Sequence, residues 1–251
     1  MRSSALTAAE VLRFYHAVSF SMWQFGPAGL VNCHIVIKWG IRDPTVAARM
    51  CWTYLNRARK WSGAGATDPR PQRRSARFGE SFSLHYVYVH EFDSSGMHSH
   101  VLARVPAASV PSFRAWTLRA VSQLTQHPCD RTSVKIVPSR ERSERASVDR
   151  AWNWVRYCLK QTAADIEWGP PWRLLRSILR TWPMQTCYLV PEIQLTGVSK
   201  DLGPGAQKAA GFHPSILARQ PDRIYYGDEL QEWRERQRLA KVQALMATLN
   251  T

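Results

Sequence analysis

The sequence predicts an α+β fold in which an antiparallel sheet is flanked by helices and followed by a mostly helical C-terminal extension. Three observations carry that prediction. Four short runs rich in β-branched and aromatic residues, at 30 to 40, 81 to 92, 98 to 106 and 132 to 138, have strand length and composition. The middle two are separated only by a turn containing "DSSG", which predicts an antiparallel hairpin. Between and after the strands lie stretches with apolar residues at helical spacing. Strand, helix, hairpin, helix, strand and helix then fit helices layered on one sheet.

Each element follows from local chemistry. Residues 1 to 27 carry one weak helical pattern and are expected to form an N-terminal segment outside the main domain. "LVNCHIVIKWG" (30 to 40) reads as a buried strand ended by Gly40. "DPTVAARMCWTYLNRARKW" (43 to 61) starts with Asp before Pro and ends with a basic turn, as a helix should. The stretch 62 to 80 is rich in Gly, Ala, Pro and Arg without periodicity and reads as a basic loop. "VPSFRAWTLRAVSQLT" (110 to 125) predicts a helix, and "VDRAWNWVRYCLKQTA" (148 to 163) another. On the latter, Ala151, Trp152, Val155, Cys158 and Leu159 form an apolar face for docking on the sheet. Residues 28 to 165 are therefore read as one domain and 166 to 251 as an extension of unknown role.

Composition narrows the function. The chain has 251 residues, 45% of them hydrophobic, enough to bury a core. Five scattered cysteines without a Cys-x-x-Cys pair suggest neither a disulfide framework nor a zinc ribbon. The N-terminus lacks the apolar core of a secretory signal, and no run approaches a membrane span, so a cytoplasmic protein without a membrane partner is expected. There is no phosphate-binding loop of the nucleotide-driven motors. The 34 Lys and Arg against 19 Asp and Glu give a formal charge of +15. An Arg-rich excess of that size, with eleven tryptophans available for stacking, points to a nucleic acid.

A chemical constellation lies in "EFDSSGMHSH" (91 to 100). Residues two apart in a strand share a face, so His98 and His100 project together while Ser99 points away with Val101 and Ala103. The hairpin brings Glu91 alongside. Two imidazoles and a carboxylate suit a divalent metal with positions left open for a substrate. On the helix 148 to 163, Arg150, Asn153, Tyr157 and Lys160 form a second stripe, which sets a lysine one turn from a tyrosine. An unperturbed tyrosine is only about a thousandth ionised at pH 7, and a nearby cation favours its nucleophilic phenolate.

With "HSH" (98 to 100), Glu91 and "YCLK" (157 to 160) in this order, the sequence resembles the HUH superfamily of single-strand DNA nicking enzymes, in particular the initiators of rolling-circle replication. "NCHIVIKW" (32 to 39) is compatible with the weaker first motif of that family. The resemblance covers about residues 28 to 165 and departs from the pattern at Ser99, where the family usually has a bulky apolar residue. It implies an HUH/Rep-like sheet, Mg2+ or Mn2+ on Glu91, His98 and His100, and attack by Tyr157 on a scissile phosphate, assisted by Lys160. The implied product is a 5'-phosphotyrosine link and a free 3'-hydroxyl. Its implied partners are single-stranded or hairpin DNA and, without a motor in the chain, a host helicase and polymerase. Arg70, Arg73, Arg74, Arg77, Arg150 and Asn153 are the residues expected to meet DNA.

Alternatives remain on the sequence alone. A single-strand transposase or a relaxase shares the chemistry, although relaxases usually place the tyrosine near the N-terminus and use three histidines. Two histidines and a carboxylate also describe non-haem iron oxygenases, which need more strands than are visible here. A non-catalytic DNA-binding regulator would retain the basic surface without cleavage.

Overall fold

The computed structural model describes residues 1–63, 82–130, 132–168, 173–179, 181, 188–213 and 228–249. Its centre is a five-stranded antiparallel sheet with helices on both faces. In chain order the elements are β1 (Arg2–Ser3), α1 (Ala8–Phe25), β2 (Cys33–Lys38), α2 (Pro44–Ser62), β3 (Tyr86–Asp93), β4 (Gly96–Ala103), α3 (Val110–Thr125), β5 (Val134–Pro138) and α4 (Glu144–Cys158). There follow β6 (Glu167–Trp168), β7 (Arg173–Leu174), α5 (Leu175–Ile178), β8 (Leu189–Val190), β9 (Thr196–Val198), α6 (Pro204–Ala209) and α7 (Asp228–Leu249).

The sheet order is β5-β2-β4-β3-β9, so β4, which carries both histidines of the HSH motif, is the central strand. Its register pairs Glu91 with His98, Val89 with His100, His34 with Leu102 and Val36 with His100. All these positions share one face. Ser99, paired with His90 and Ile37, lies on the other. The β3–β4 hairpin turns through Ser94 and Ser95. Asp93 Oδ1 accepts the Ser95 N–H at 2.7 Å, and Gly96 takes φ +112°, which a side chain would strain.

α2 and α3 cover the Ser99 face, tied to each other by Tyr54 and Thr117 at 3.1 Å. α1 and α4 cover the histidine face, where Tyr15 stacks on Trp152 at 5.1 Å. The helix starts have chemical causes. Asp43 accepts N–H groups at the head of α2, and Thr7 with Glu10 closes a capping box on α1. The apolar face expected on α4 is buried throughout.

Two boundaries differ from the sequence reading. The N-terminal segment is not peripheral: Val11, Phe14, Tyr15 and Val18 of α1 are buried against the sheet. Nor does the sheet end near residue 165, because β9 pairs with β3 and supplies one edge. A three-residue strand containing Gly197 has too little pattern to announce itself. That glycine is needed, since a Cβ there would lie 2.3 Å from the Tyr88 ring. α7 runs beside α1, with the Arg236 guanidinium 3.7 Å from the centre of the Trp23 ring.

His16, mostly buried on α1 with no hydrogen-bond partner for Nε2 among the described residues, is pulled down to about 4 by desolvation. A depressed folded-state pKa means that its stabilising contribution is complete above the unfolded value near 6.5. That contribution is lost as pH falls toward 4. The expected loss is at most on the order of 3 kcal/mol. Urea melts of His16→Gln between pH 7 and 4 should accordingly show a shallower decline than the wild type; parallel declines would remove His16 from the acid limb.

Candidate nucleophile and metal centre

The site sits where α4 crosses β4. Val155 and Cys158 anchor the end of the helix in the core, which leaves Tyr157 half-buried above the sheet. Its ring meets His100 edge-on at 5.4 Å and His34 at 6.0 Å. α4 ends at Cys158, one turn earlier than the apolar pattern predicts, and continues as a 3-10 turn over Leu159–Gln161. This tighter turn brings Lys160 back over Tyr157, with Nζ 4.0 Å from the ring centre.

Lys160 also reaches the sheet. Its Nζ lies 2.6 Å from Glu91 Oε1, while Glu91 Oε2 is 2.7 Å from His100 Nε2. On the far side, His100 Nδ1 is 3.0 Å from His34 Nε2. Four side chains thus form one chain of contacts, Lys160 to Glu91 to His100 to His34, with Tyr157 above it. Burial works against the Glu91 carboxylate, but hydrogen bonds from His100 and Lys160 outweigh it and hold the group at about 2. Burial likewise opposes the Lys160 ammonium, and Glu91 and Tyr157 more than offset it, so its pKa is raised. His34 is driven down to about 3 by desolvation and the neighbouring His100 and lysines, which leaves it neutral at ordinary pH.

The expected metal ligands are only partly gathered. Glu91 and His100 touch, whereas His98 Nε2 turns toward Ser95 Oγ at 3.0 Å and Asp93 Oδ2 at 3.4 Å. Burial lowers the His98 pKa, opposed by Asp93 and Glu91. Among the described residues, His34, His100 and Cys158 bring three possible donor atoms within 4.8 Å of one another and could hold a metal ion. All three are buried, and desolvation raises the Cys158 thiol well above its ordinary value, so a thiolate there is disfavoured.

The expected DNA-contacting residues fall into two groups. Arg150 is exposed on α4 but bound to Glu141 at 2.8 Å, and Asn153, also exposed, accepts from Arg156 at 3.3 Å. Neither joins the Tyr157 cluster. Arg70, Arg73, Arg74 and Arg77 lie outside the described residues.

One site residue escaped the sequence reading: His34 sits in a mostly apolar strand, and its alternation with Val36 and Lys38 was the available signal. For Ser99 the sequence showed the position but not its partners. Behind the histidines this serine accepts the Trp39 indole N–H at 2.7 Å and bonds His90 Nδ1 at 2.9 Å, with the Cys51 thiol as a further partner. The departure from a bulky apolar residue is therefore a satisfied buried polar group. No described helix is long and apolar enough to cross a membrane. Comparison with family models, curated proteins and solved structures finds no match to the chain.

Proposed function

We propose that this protein is an HUH-type endonuclease that cuts and rejoins single-stranded or hairpin DNA through a covalent tyrosine intermediate, initiating rolling-circle replication. The supporting observation is the Lys160 ammonium shared between Glu91 on the sheet and Tyr157 on the helix, which ties a nucleophile to a carboxylate–histidine pair.

In this reading the Tyr157 phenol oxygen attacks the scissile phosphorus. A Tyr–O–P bond forms and the bond to the 3'-oxygen breaks. The phenol proton passes to solvent, and the leaving oxygen departs as a 3'-hydroxyl after taking up a proton. Lys160 offsets the negative charge that develops on the phenol oxygen. Because phosphodiester energy is kept in the 5'-phosphotyrosine, the reverse attack by a 3'-hydroxyl reseals the strand without ATP.

The donor types suit a divalent cation: Glu91 is ionised and already meets His100, and His98 would complete the set on turning from Ser95. Glu91, His98 and His100 would hold Mg2+ or Mn2+, whose contribution when bound is Lewis-acid neutralisation of phosphate charge. The test is a denaturing gel of protein incubated with Mn2+ and an end-labelled pool of hairpin-bearing single strands. A metal-dependent labelled protein band is expected. Bound DNA with neither cleavage nor adduct, over a broad pool, would favour a non-catalytic regulator.

His34 should matter without touching DNA. If His100 ligates through Nε2, its Nδ1–H donates to neutral His34, which fixes the ring's tautomer and orientation. Titration calorimetry of His34→Phe should show Mn2+ affinity lowered by about 10- to 100-fold. Unchanged affinity would reduce His34 to a packing residue.

A further inference from the structure

A second basic feature lies at the β9 edge of the sheet, apart from the Tyr157 cluster. A cleft of about 770 Å³ is walled by Arg13 of α1, Arg59 near the end of α2, Val198 of β9, and Gln194, Lys200 and Asp201 on either side of that strand. The cations come from three separate parts of the chain. None of Arg13, Arg59 and Lys200 makes an ion pair with another described residue. The one carboxylate of the wall, Asp201, is already paired with His85 at 2.6 Å. Three cations against one acid leave the cleft net positive, and concave walls concentrate that field.

From this convergence we propose that the β9-edge cleft is a second nucleic-acid site, which grips backbone phosphates of the same strand away from the scissile bond. The inference rests on the nucleic-acid reading above. Two arginine forks and a lysine suit phosphate oxygens, whereas no aromatic side chain for stacking a base lines the cleft among the described residues. Register gives the spacing. Thr196 shares a row with Val89 and His100, two strands across, and Val198 lies two residues farther along β9. The backbone separation from His100 to the cleft wall is thus on the order of 12 Å. A strand held at both places is longer than the reacting nucleotides, so the cleft sets how much flanking DNA contributes to affinity without reading its sequence.

The test is fluorescence anisotropy with a labelled oligothymidylate of about 16 nucleotides, near the upper site size of single-strand binders. Binding is titrated across a salt series, with the full-length protein and the double variant Arg13→Gln, Arg59→Gln. Loss of two phosphate contacts should flatten the slope of log K against log salt by about 1.4 and lower affinity roughly tenfold. A charge-matched variant, Arg238→Gln with Lys241→Gln on the exposed part of α7, should keep the wild-type slope. Circular dichroism verifies that each variant is folded. If the wild type binds and both variants keep its slope, the cleft is not a phosphate site, while the Tyr157 reading stands. An equal flattening in both variants would reduce the effect to overall charge and also overturn the cleft. Failure of the wild type to bind the oligothymidylate would overturn the cleft as a sequence-independent phosphate site, while the adduct gel decides the Tyr157 reading separately.

Discussion

Replacement of Tyr157 by phenylalanine should abolish the covalent protein–DNA adduct, lowering its formation by at least about 10³-fold, because removal of a nucleophile removes the reaction path it opens. The substitution is mild for the fold. The ring keeps its edge contacts with His34 and His100, and Lys160 keeps Glu91 as its partner at 2.6 Å. DNA binding in the absence of metal should therefore be nearly unchanged, which separates chemistry from recognition. The measurement is the labelled protein band after incubation with Mn2+ and hairpin-bearing single strands. Neighbouring Cys158 is a poor substitute nucleophile, since its thiol is buried and held protonated. An adduct that persists in the variant would assign the link to another residue. Cleavage without any adduct, in both proteins, would mean a water nucleophile and a different role for Tyr157.

The parts of this arrangement that were legible beforehand are those governed by local rules. Alternation placed His98 and His100 on one face, and the turn between β3 and β4 brought Glu91 beside them; the register pairs Glu91 directly with His98. The capped start of α2 and the apolar face of α4 were equally readable, because helix caps and periodicity are encoded within a few residues. What escaped depends on contacts far apart in sequence. His34 meets His100 across 66 positions, and nothing in a six-residue strand reveals the opposing side chain. β9 joins β3 across more than 100 residues, with only Thr196, Gly197 and Val198 to signal it. α1 looked weak because its burial is broad, from Val11 through Met22, so its hydrophobic residues do not confine themselves to one stripe. The tightening of α4 into a 3-10 turn was also invisible to spacing, although it is what places Lys160 between Tyr157 and Glu91.

Ser99→Leu, which would introduce the bulky apolar residue usual in the HUH family, should destabilise this protein by about 3–5 kcal/mol. Ser99 is fully buried and faces α2, opposite the histidines that flank it. Its hydroxyl has two acceptor positions and one proton. Trp39 Nε1 donates to it at 2.7 Å, and its bond to His90 Nδ1 is 2.9 Å. Cys51, whose thiol is raised to about 12 by burial and so stays protonated, completes the set. His90 is driven down to about 3 by desolvation, so it is neutral and joins as an uncharged partner. Leucine would strand the indole N–H and the imidazole nitrogen in a dry core and insert two extra heavy atoms beside Trp39. Ser99→Ala isolates the first effect: it loses the hydrogen bonds without overpacking and should cost about 1–3 kcal/mol. Urea melts of the two variants therefore separate polar loss from crowding. Because Ser99 lies between His98 and His100 on the central strand, the leucine variant should also weaken Mn2+ binding more than the alanine variant does. A leucine protein as stable as the wild type would show that the Trp39–Ser99–His90 set contributes nothing net. The departure at residue 99 would then be a neutral exchange rather than a polar support built beneath the histidine pair.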